Sequence, residues 1–212
     1  MHGRDGLPIA RGFTLIEVLV ALVILGIAMA LGIPALSKLI TRSRLEGSAR
    51  ELAVLTQRAR LEAIKRRVQT VVEVDPATGA AEAWADVDGP GVLDPPDLVF
   101  NPVAGELRFT TDYRIGRLEP GSGVRFEAPG GQSAVDGLSA APGRRVAVFL
   151  PTGAADRSGA FRLADPGGLN HLEVRLAPAG TGRVTLRKWD RDAGAWALQR
   201  EGGKPWTWYI RP

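Results

Sequence analysis

GFTLIEVLVALVILGIAMALGI, residues 12–33, decides the fold. From Phe13 to Ile33 only Thr14 and Glu17 interrupt an otherwise apolar run. At about 1.5 Å rise per residue, a helix of this length spans roughly 30 Å, the thickness of a bilayer's hydrocarbon core. Glu17 is the anomaly in it. An ionised carboxylate at that depth costs about 2.5–3.5 kcal/mol on translocon-type scales. It therefore asks for a partner, the bland alternative being a glutamate that snorkels to the membrane surface.

Upstream, residues 1–12 carry Arg4 and Arg11 against Asp5. They lack the apolar core and small-residue cleavage site of a secretory signal peptide. Downstream, Pro34 removes a backbone donor and predicts a bend or local opening of the helix. Beyond it Leu36, Leu39, Ile40, Ala49, Leu52, Ala53, Ala59, Ala63 and Ile64 recur at helical steps between charged residues. That spacing predicts an amphipathic helix to about Arg67, its apolar stripe on a following domain.

The remainder reads as short strands. VVEVDPATGAAEAW is a hairpin: Asp75-Pro76 opens the turn, Gly79 takes the positive-φ position and Trp84 faces the core. Val184–Asp190 and Ala195–Arg200, joined by Arg191-Asp192-Ala193-Gly194, form a second. Between them Leu107–Thr111, Gly123–Phe126, Val146–Leu150, Ala160–Leu163 and Leu172–Leu176 are predicted strands. Asp86–Pro102 and Pro129–Arg145 read as surface loops. Trp206, Trp208 and Tyr209 read as a last strand covering a sheet edge, with a partner-contact patch as the alternative. The fold class is α+β. Residues 13–33 are the membrane half of a long helix, 34–70 its stem, and 71–212 an antiparallel β-sheet head.

Composition narrows the chemistry. The chain has no Cys and only His2 and His171, so disulfides and His/Cys zinc sites are not expected. Asp86, Asp88, Asp94 and Asp97 lack the spacing of a twelve-residue calcium loop. Gly130-Gly131 and Gly202-Gly203 have no Lys-Ser/Thr after them, so no phosphate loop is indicated. The net charge of +4 is segregated. Residues 35–70 hold nine Lys and Arg against three Glu, residues 71–182 nine Arg against fifteen acids, and residues 183–212 seven basic against three acidic. This is not the profile of a general nucleic-acid binder, although the tail is basic. The expectation is a non-enzyme with no cofactor and no metal.

Gly12, Phe13-Thr-Leu-Ile-Glu17 and the apolar run resemble the N-terminal signature of type IV prepilins and pseudopilins. The resemblance implies a leader of residues 1–12, cut between Gly12 and Phe13 by a prepilin peptidase, and methylation of the Phe13 amine. It also implies that Glu17 pairs with a neighbouring subunit's N-terminal amine during assembly, and it matches the proline at Pro34. Lys38, Arg42 and Arg44 alone would favour a cytoplasmic C-terminus. The resemblance implies the reverse: a single-pass inner-membrane protein with its head in the periplasm.

Two further stretches resemble the GspH/FimT family. RARLEAIKRRVQTVVEV with Trp84 is similar to the helix end and first strand. Phe149, Pro151 and Gly153, two strands, and the Thr181-Gly182-Arg183 turn are similar to the C-terminal segment. The resemblance implies a minor pseudopilin of a type II secretion system, with other major and minor pseudopilins and an inner-membrane assembly platform as partners. The alternative it carries is a minor pilin of a type IV pilus, linked in some members to DNA uptake. There Arg183, Arg187, Lys188 and Arg191 would contact DNA, although the second Arg of the family's Gly-Arg-x-Arg turn is here Thr185.

Overall fold

A computed structural model describes residues 13–75, 78–87, 98–101, 106–109, 112–141, 144–198 and 206–209. At 34–35, 98–101, 106–109, 139–141 and 144–145 it describes the backbone alone. One helix, α1 (Leu15–Arg66), opens the chain. Its helical assignment is unbroken at Pro34, so the expected local opening does not occur there. The chain divides into two compact units, Met1–Ile40 and Thr41–Pro212.

In the first unit every described side chain from Phe13 to Ile33 is exposed. Leu36, Leu39 and Ile40 are also exposed, contrary to their expected place in the stem's buried stripe. They belong to this apolar unit rather than to the head.

The second unit is built on the rest of α1. Leu45, Ala49, Leu52, Thr56, Ala59 and Ala63 are fully buried and recur at alternating steps of four and three. Such a stripe keeps to one helix face. Three of the six are alanines, which lets the backbone of the sheets approach closely. Ile64, expected in this stripe, is 42% exposed because it lies beside Ala63 rather than one turn from it. A separate row of Glu51, Val54, Arg58, Leu61 and Lys65 is exposed.

Strands β1 (Gln69–Val74) and β2 (Ala81–Asp86) form the expected hairpin, with Gly79 at φ 71°. Then follow β3 (Leu98–Asn101), β4 (Glu106–Phe109), β5 (Tyr113–Leu118), β6 (Arg125–Phe126), β7 (Val135–Asp136), β8 (Ser139–Ala141) and β9 (Arg144–Phe149). The last four are β10 (Gly159–Ala164), β11 (His171–Leu176), β12 (Val184–Asp190) and β13 (Ala195–Leu198). One antiparallel sheet has the order β5-β2-β1-β9-β8, and the other β13-β12-β11-β10-β6 with β7 also on β10. A third, of two strands, pairs β3 with β4.

Four strands fall where none was expected. β3 lies inside the predicted Asp86–Pro102 loop, and β7 and β8 inside Pro129–Arg145. β5 lies between predicted elements. The tail, in turn, is not a strand at Trp206–Tyr209.

Strand alternation sets the core. Val72, Val74, Ala81, Ala83, Ala147 and Phe149 from the first sheet join Phe161, Leu163, Leu172, Val174 and Leu176 from the second. Together with the buried residues of α1 they form one cluster. Trp84 is 2% exposed but belongs to a separate cluster with Val71 and Val146. It pairs with Val71 in the register, and side chains alternate faces along β1, so it lies on the sheet face away from the main core.

Candidate functional site

The N-terminal site starts with helix capping. Thr14 stands just before the helix and Glu17 is its third residue. The Thr14 amide donates to Glu17 Oε2 at 2.9 Å, and the Thr14 hydroxyl donates to the same oxygen at 2.9 Å. The Glu17 amide is 3.3 Å from Thr14 Oγ1, to which it donates. This reciprocal arrangement is a capping box, which satisfies free amides of the first helical turn. It holds the Glu17 carboxylate at the start of the helix, beside the backbone of Phe13. The Phe13 side chain is 88% exposed. Gly12 and the leader lie outside the described residues. Apolar residues from Leu15 onward make α1 long and apolar enough to cross a membrane.

The second candidate lies on the β12–β13 hairpin, and the structure separates its four cations. Lys188 shares a strand face with Val184 and Leu186, which pack against the core, and is only 2% exposed. Its ammonium lies 5.0 Å from the Trp208 ring centroid and donates to the Trp189 carbonyl at 3.3 Å. Burial pushes its pKa down to about 8, with Asp190 and Asp165 pulling the other way and Arg42 adding to the depression. Arg187 points from the opposite face and lies 3.7 Å from Glu173. Arg183 and Arg191 are exposed before and after the strand, and the Arg191 guanidinium sits 5.5 Å from the Tyr209 ring centroid. Trp189, a candidate for base stacking, forms an edge-to-face pair with Trp196 at 5.3 Å. The four cations are therefore distributed over two faces and two strand ends rather than gathered in one patch.

The tail contacts are specific. Asn170 grips the Tyr209 backbone at two points: its Nδ2 donates to the carbonyl and its Oδ1 accepts from the amide, both at 2.9 Å. The Tyr209 hydroxyl accepts from the amides of Arg191 and Asp192 and donates to Asp190 Oδ1. Trp206 Nε1 donates to the Ala197 carbonyl. His171, next to Asn170, is 5% exposed, and neither ring nitrogen has a hydrogen-bond partner. Burial lowers its pKa, against the opposing pull of Glu127 and Asp165. Asp86, from the predicted acidic loop, is buried, with Gln69 Nε2 donating to it at 3.3 Å. Asp88, Asp94 and Asp97 lie outside the described residues. Among the described residues no cluster of three His, Asp or Glu could hold a metal ion.

Two structural centres were not read from the sequence. Arg60 of α1 donates from Nε to the Gly153 carbonyl at 2.9 Å. Gly153 at φ 80° and Gly182 at φ 56° lie against each other there. The Pro-x-Gly and Thr-Gly-Arg turns thus converge on one arginine of the helix. The other centre is Arg162 on β10. It donates to Glu173 Oε2 at 2.9 Å, to the Ser133 carbonyl at 2.6 Å and to Asp136 Oδ2 at 3.1 Å. Arg162 ties β10, β11 and the 133–136 segment together. Only the alternation of Phe161 and Leu163 around an arginine hinted at it.

Comparison with known proteins fits this anatomy. The prokaryotic N-terminal methylation motif matches residues 9–33, and the family described as type II transport protein GspH matches residues 48–180. The chain belongs to the GspH family. The GspH match begins inside α1 and ends four residues before β12, so the hairpin and the aromatic tail lie beyond it. The Thr181-Gly182-Arg183 turn also falls just past it. Pilin-like protein PilA1 of Thermus thermophilus is 45% identical over 64 residues, 30% of this chain and 40% of that protein. The chain thus spans well under half of that relative's length. The type IV minor pilin FimU of Pseudomonas aeruginosa is similar at 17% identity and a TM-score of 0.41, over 68% of this chain and 89% of that one. The chain is thus a GspH-family protein with a prepilin motif at residues 9–33 and a helix packed on antiparallel sheets.

Proposed function

We propose that this chain is a minor pseudopilin of a type II secretion system. The observation that carries the reading is the GspH match over residues 48–180, joined to a prepilin motif at residues 9–33. The prepilin peptidase cuts between Gly12 and Phe13, and the Phe13 amine is methylated. Before assembly the protein sits in the inner membrane through residues 13–33, with residues 34–70 as stem and 71–212 as a periplasmic head. On entering the filament, Glu17 exchanges its contacts with Thr14 for the amine of a neighbouring subunit. In a low-dielectric setting an opposite charge a few ångströms away is stabilised far more than in water, so the pair can set subunit register. Major and minor pseudopilins and the inner-membrane assembly platform are the partners.

A second reading is a minor pilin of a type IV pilus, supported by the likeness to a pilin-like protein over 64 residues. The separation of Arg183, Arg187, Lys188 and Arg191 weighs against its DNA-binding form. Phosphate binding needs several cations in one patch, and Lys188 is buried. The deciding experiment compares culture-fluid proteins from a strain lacking the gene with those of its parent. Loss of a set of exported proteins, with motility and transformation intact, supports the secretion role. An unchanged profile with lost motility or DNA uptake replaces it with the pilus role.

A further inference from the structure

Both ends of one loop are tied to the backbone of a single residue. The Glu127 amide donates to the Arg162 carbonyl at 3.1 Å, and the Arg162 amide donates to the Ala134 carbonyl at 2.8 Å. β6 and β7 continue the pairing with β10 on either side. Residues 128–133 have no place in that ladder and are extruded from it. They turn onto the sheet face that points away from the main core. Arg162 lies on that face, between the core residues Phe161 and Leu163, and its Nη1 donates to the Ser133 carbonyl at 2.6 Å. Trp196 Nε1 donates to Gln132 Oε1 at 3.0 Å. Trp196 is on β13, three strands from β10, or roughly 14 Å away at the usual strand spacing. The loop therefore crosses β11 and β12. The registers place Ala164, His171, Trp189 and Trp196 in one row under that path, and Arg162, Glu173 and Arg187 in the next. Gly130 at φ 55° and Gly131 at φ 77° form the exposed crest, and Pro129 is buried.

Beneath this loop His171 is buried with neither ring nitrogen partnered among the described residues. A neutral imidazole leaves one donor unmet there, whereas an imidazolium would bring two donors and a charge, which is far more costly to bury. Burial lowers the pKa of the ring, Glu127 and Asp165 pull it up, and Lys188 and Arg191 add to the depression. The other charges on the packed strands are engaged elsewhere: Glu173 by Arg162 and Arg187, Asp136 by Arg162, Arg125 by Glu127, and Asp190 by the Tyr209 hydroxyl.

We propose that residues 128–133 are a pH-gated lid, closed over His171 while its imidazole is neutral and opened when the ring takes up a proton. Opening breaks the Arg162–Ser133 and Trp196–Gln132 bonds, leaves the pairing of β6 and β7 with β10 in place, and brings His171, Trp189 and Trp196 to water. The open state binds the proton near the ordinary 6.5 and the closed state only at lower pH. Closure is therefore fully favoured above about 6.5 and weakens as pH falls below it, by at most about tenfold per pH unit.

The test uses the full chain in detergent. The chain has no cysteine, so Ser133→Cys carries a single nitroxide on the exposed lid and keeps the backbone carbonyl that Arg162 holds. The mobile component of its electron paramagnetic resonance spectrum is expected to grow several-fold from about pH 7 to about pH 5. The same label on a His171→Phe background, where no proton can be taken up, is expected to show no such growth. His171→Gln serves if the phenylalanine variant fails to fold. Carbon-13 resonances of the His171 imidazole, told from those of His2 by their loss in His171→Gln, are expected to titrate below 6.5. A label whose mobility ignores pH, or responds equally without the imidazole, overturns the gate, and so does a His171 that titrates at or above 6.5.

Discussion

Gly182→Ala tests the convergence of the two glycine turns on Arg60. Gly182 sits at φ 56°, and a Cβ there would meet the Gly153 carbonyl oxygen at 2.3 Å and Arg60 Nε at 3.1 Å. The left-handed backbone alone costs an alanine about 1–2 kcal/mol. Pushing the Gly153 carbonyl away also breaks its hydrogen bond from Arg60. A bond to a charged donor contributes about 1.5–3 kcal/mol, and the lower end applies because Arg60 is only partly buried. The total is about 3 kcal/mol, a drop of roughly 10 °C in Tm at about 2–4 °C per kcal/mol for a domain of this size. Thermal unfolding of the full chain in detergent, followed by tryptophan fluorescence, reads it. Gly194→Ala is the control, since Gly194 has φ 61° but nothing within 4 Å of a Cβ. It is expected to cost about 1–2 kcal/mol from conformation alone. If Gly182→Ala costs no more than Gly194→Ala, the turns do not depend on their mutual contact and the reasoning fails.

Four further perturbations have defined outcomes. Glu17→Ala is expected to leave membrane insertion intact and abolish incorporation into filaments, read by cross-linking to the major subunit; unchanged incorporation refutes the pairing role. Replacing Gly12 with a large residue is expected to block processing, so that intact mass retains residues 1–12, and a shortened mass in that variant would rule out the cut. Arg162→Met leaves the fully buried Glu173 with Arg187 alone, 3.7 Å away, so the cost is expected near the lower end of the about 3–5 kcal/mol for losing one partner of a buried pair, measurable by urea unfolding. For Lys188 the folded pKa of about 8 lies below the ordinary 10.5, so the unfolded chain binds more protons between those values. Stability is therefore expected to rise with pH from about 8 to 10, by at most about 1.4 kcal/mol per unit, and Lys188→Met should lack that rise.

The elements legible in the sequence are those whose pattern is local. The β12–β13 hairpin falls where its alternation and Asp-Ala-Gly turn predict, and α1 ends one residue before the expected Arg67. β5 escaped notice because Arg114, Gly116 and Arg117 break its alternation. Gly116 is there for a different reason, since a Cβ would come within 2.9 Å of Leu55 Cδ1. β7 and β8 are two and three residues long and have no periodicity to read. The capping box was present as Thr-Leu-Ile-Glu, with its spacing plain. Lys188 could not be assigned from its own strand, because its burial depends on Trp208, which comes from the tail.

The two rows along the second half of α1 separate two kinds of phenotype. Leu45, Ala49, Leu52, Thr56, Ala59 and Ala63 are committed to the interior, so errors there reach the cell as degraded protein. Glu51, Val54, Arg58, Leu61 and Lys65 touch solvent in the single subunit, so changes there leave abundance unaltered. A mutational scan scored for both abundance and export would resolve one helix into two alternating sets of positions. Variants silent in the first score and defective in the second would trace the outline of the neighbouring subunit.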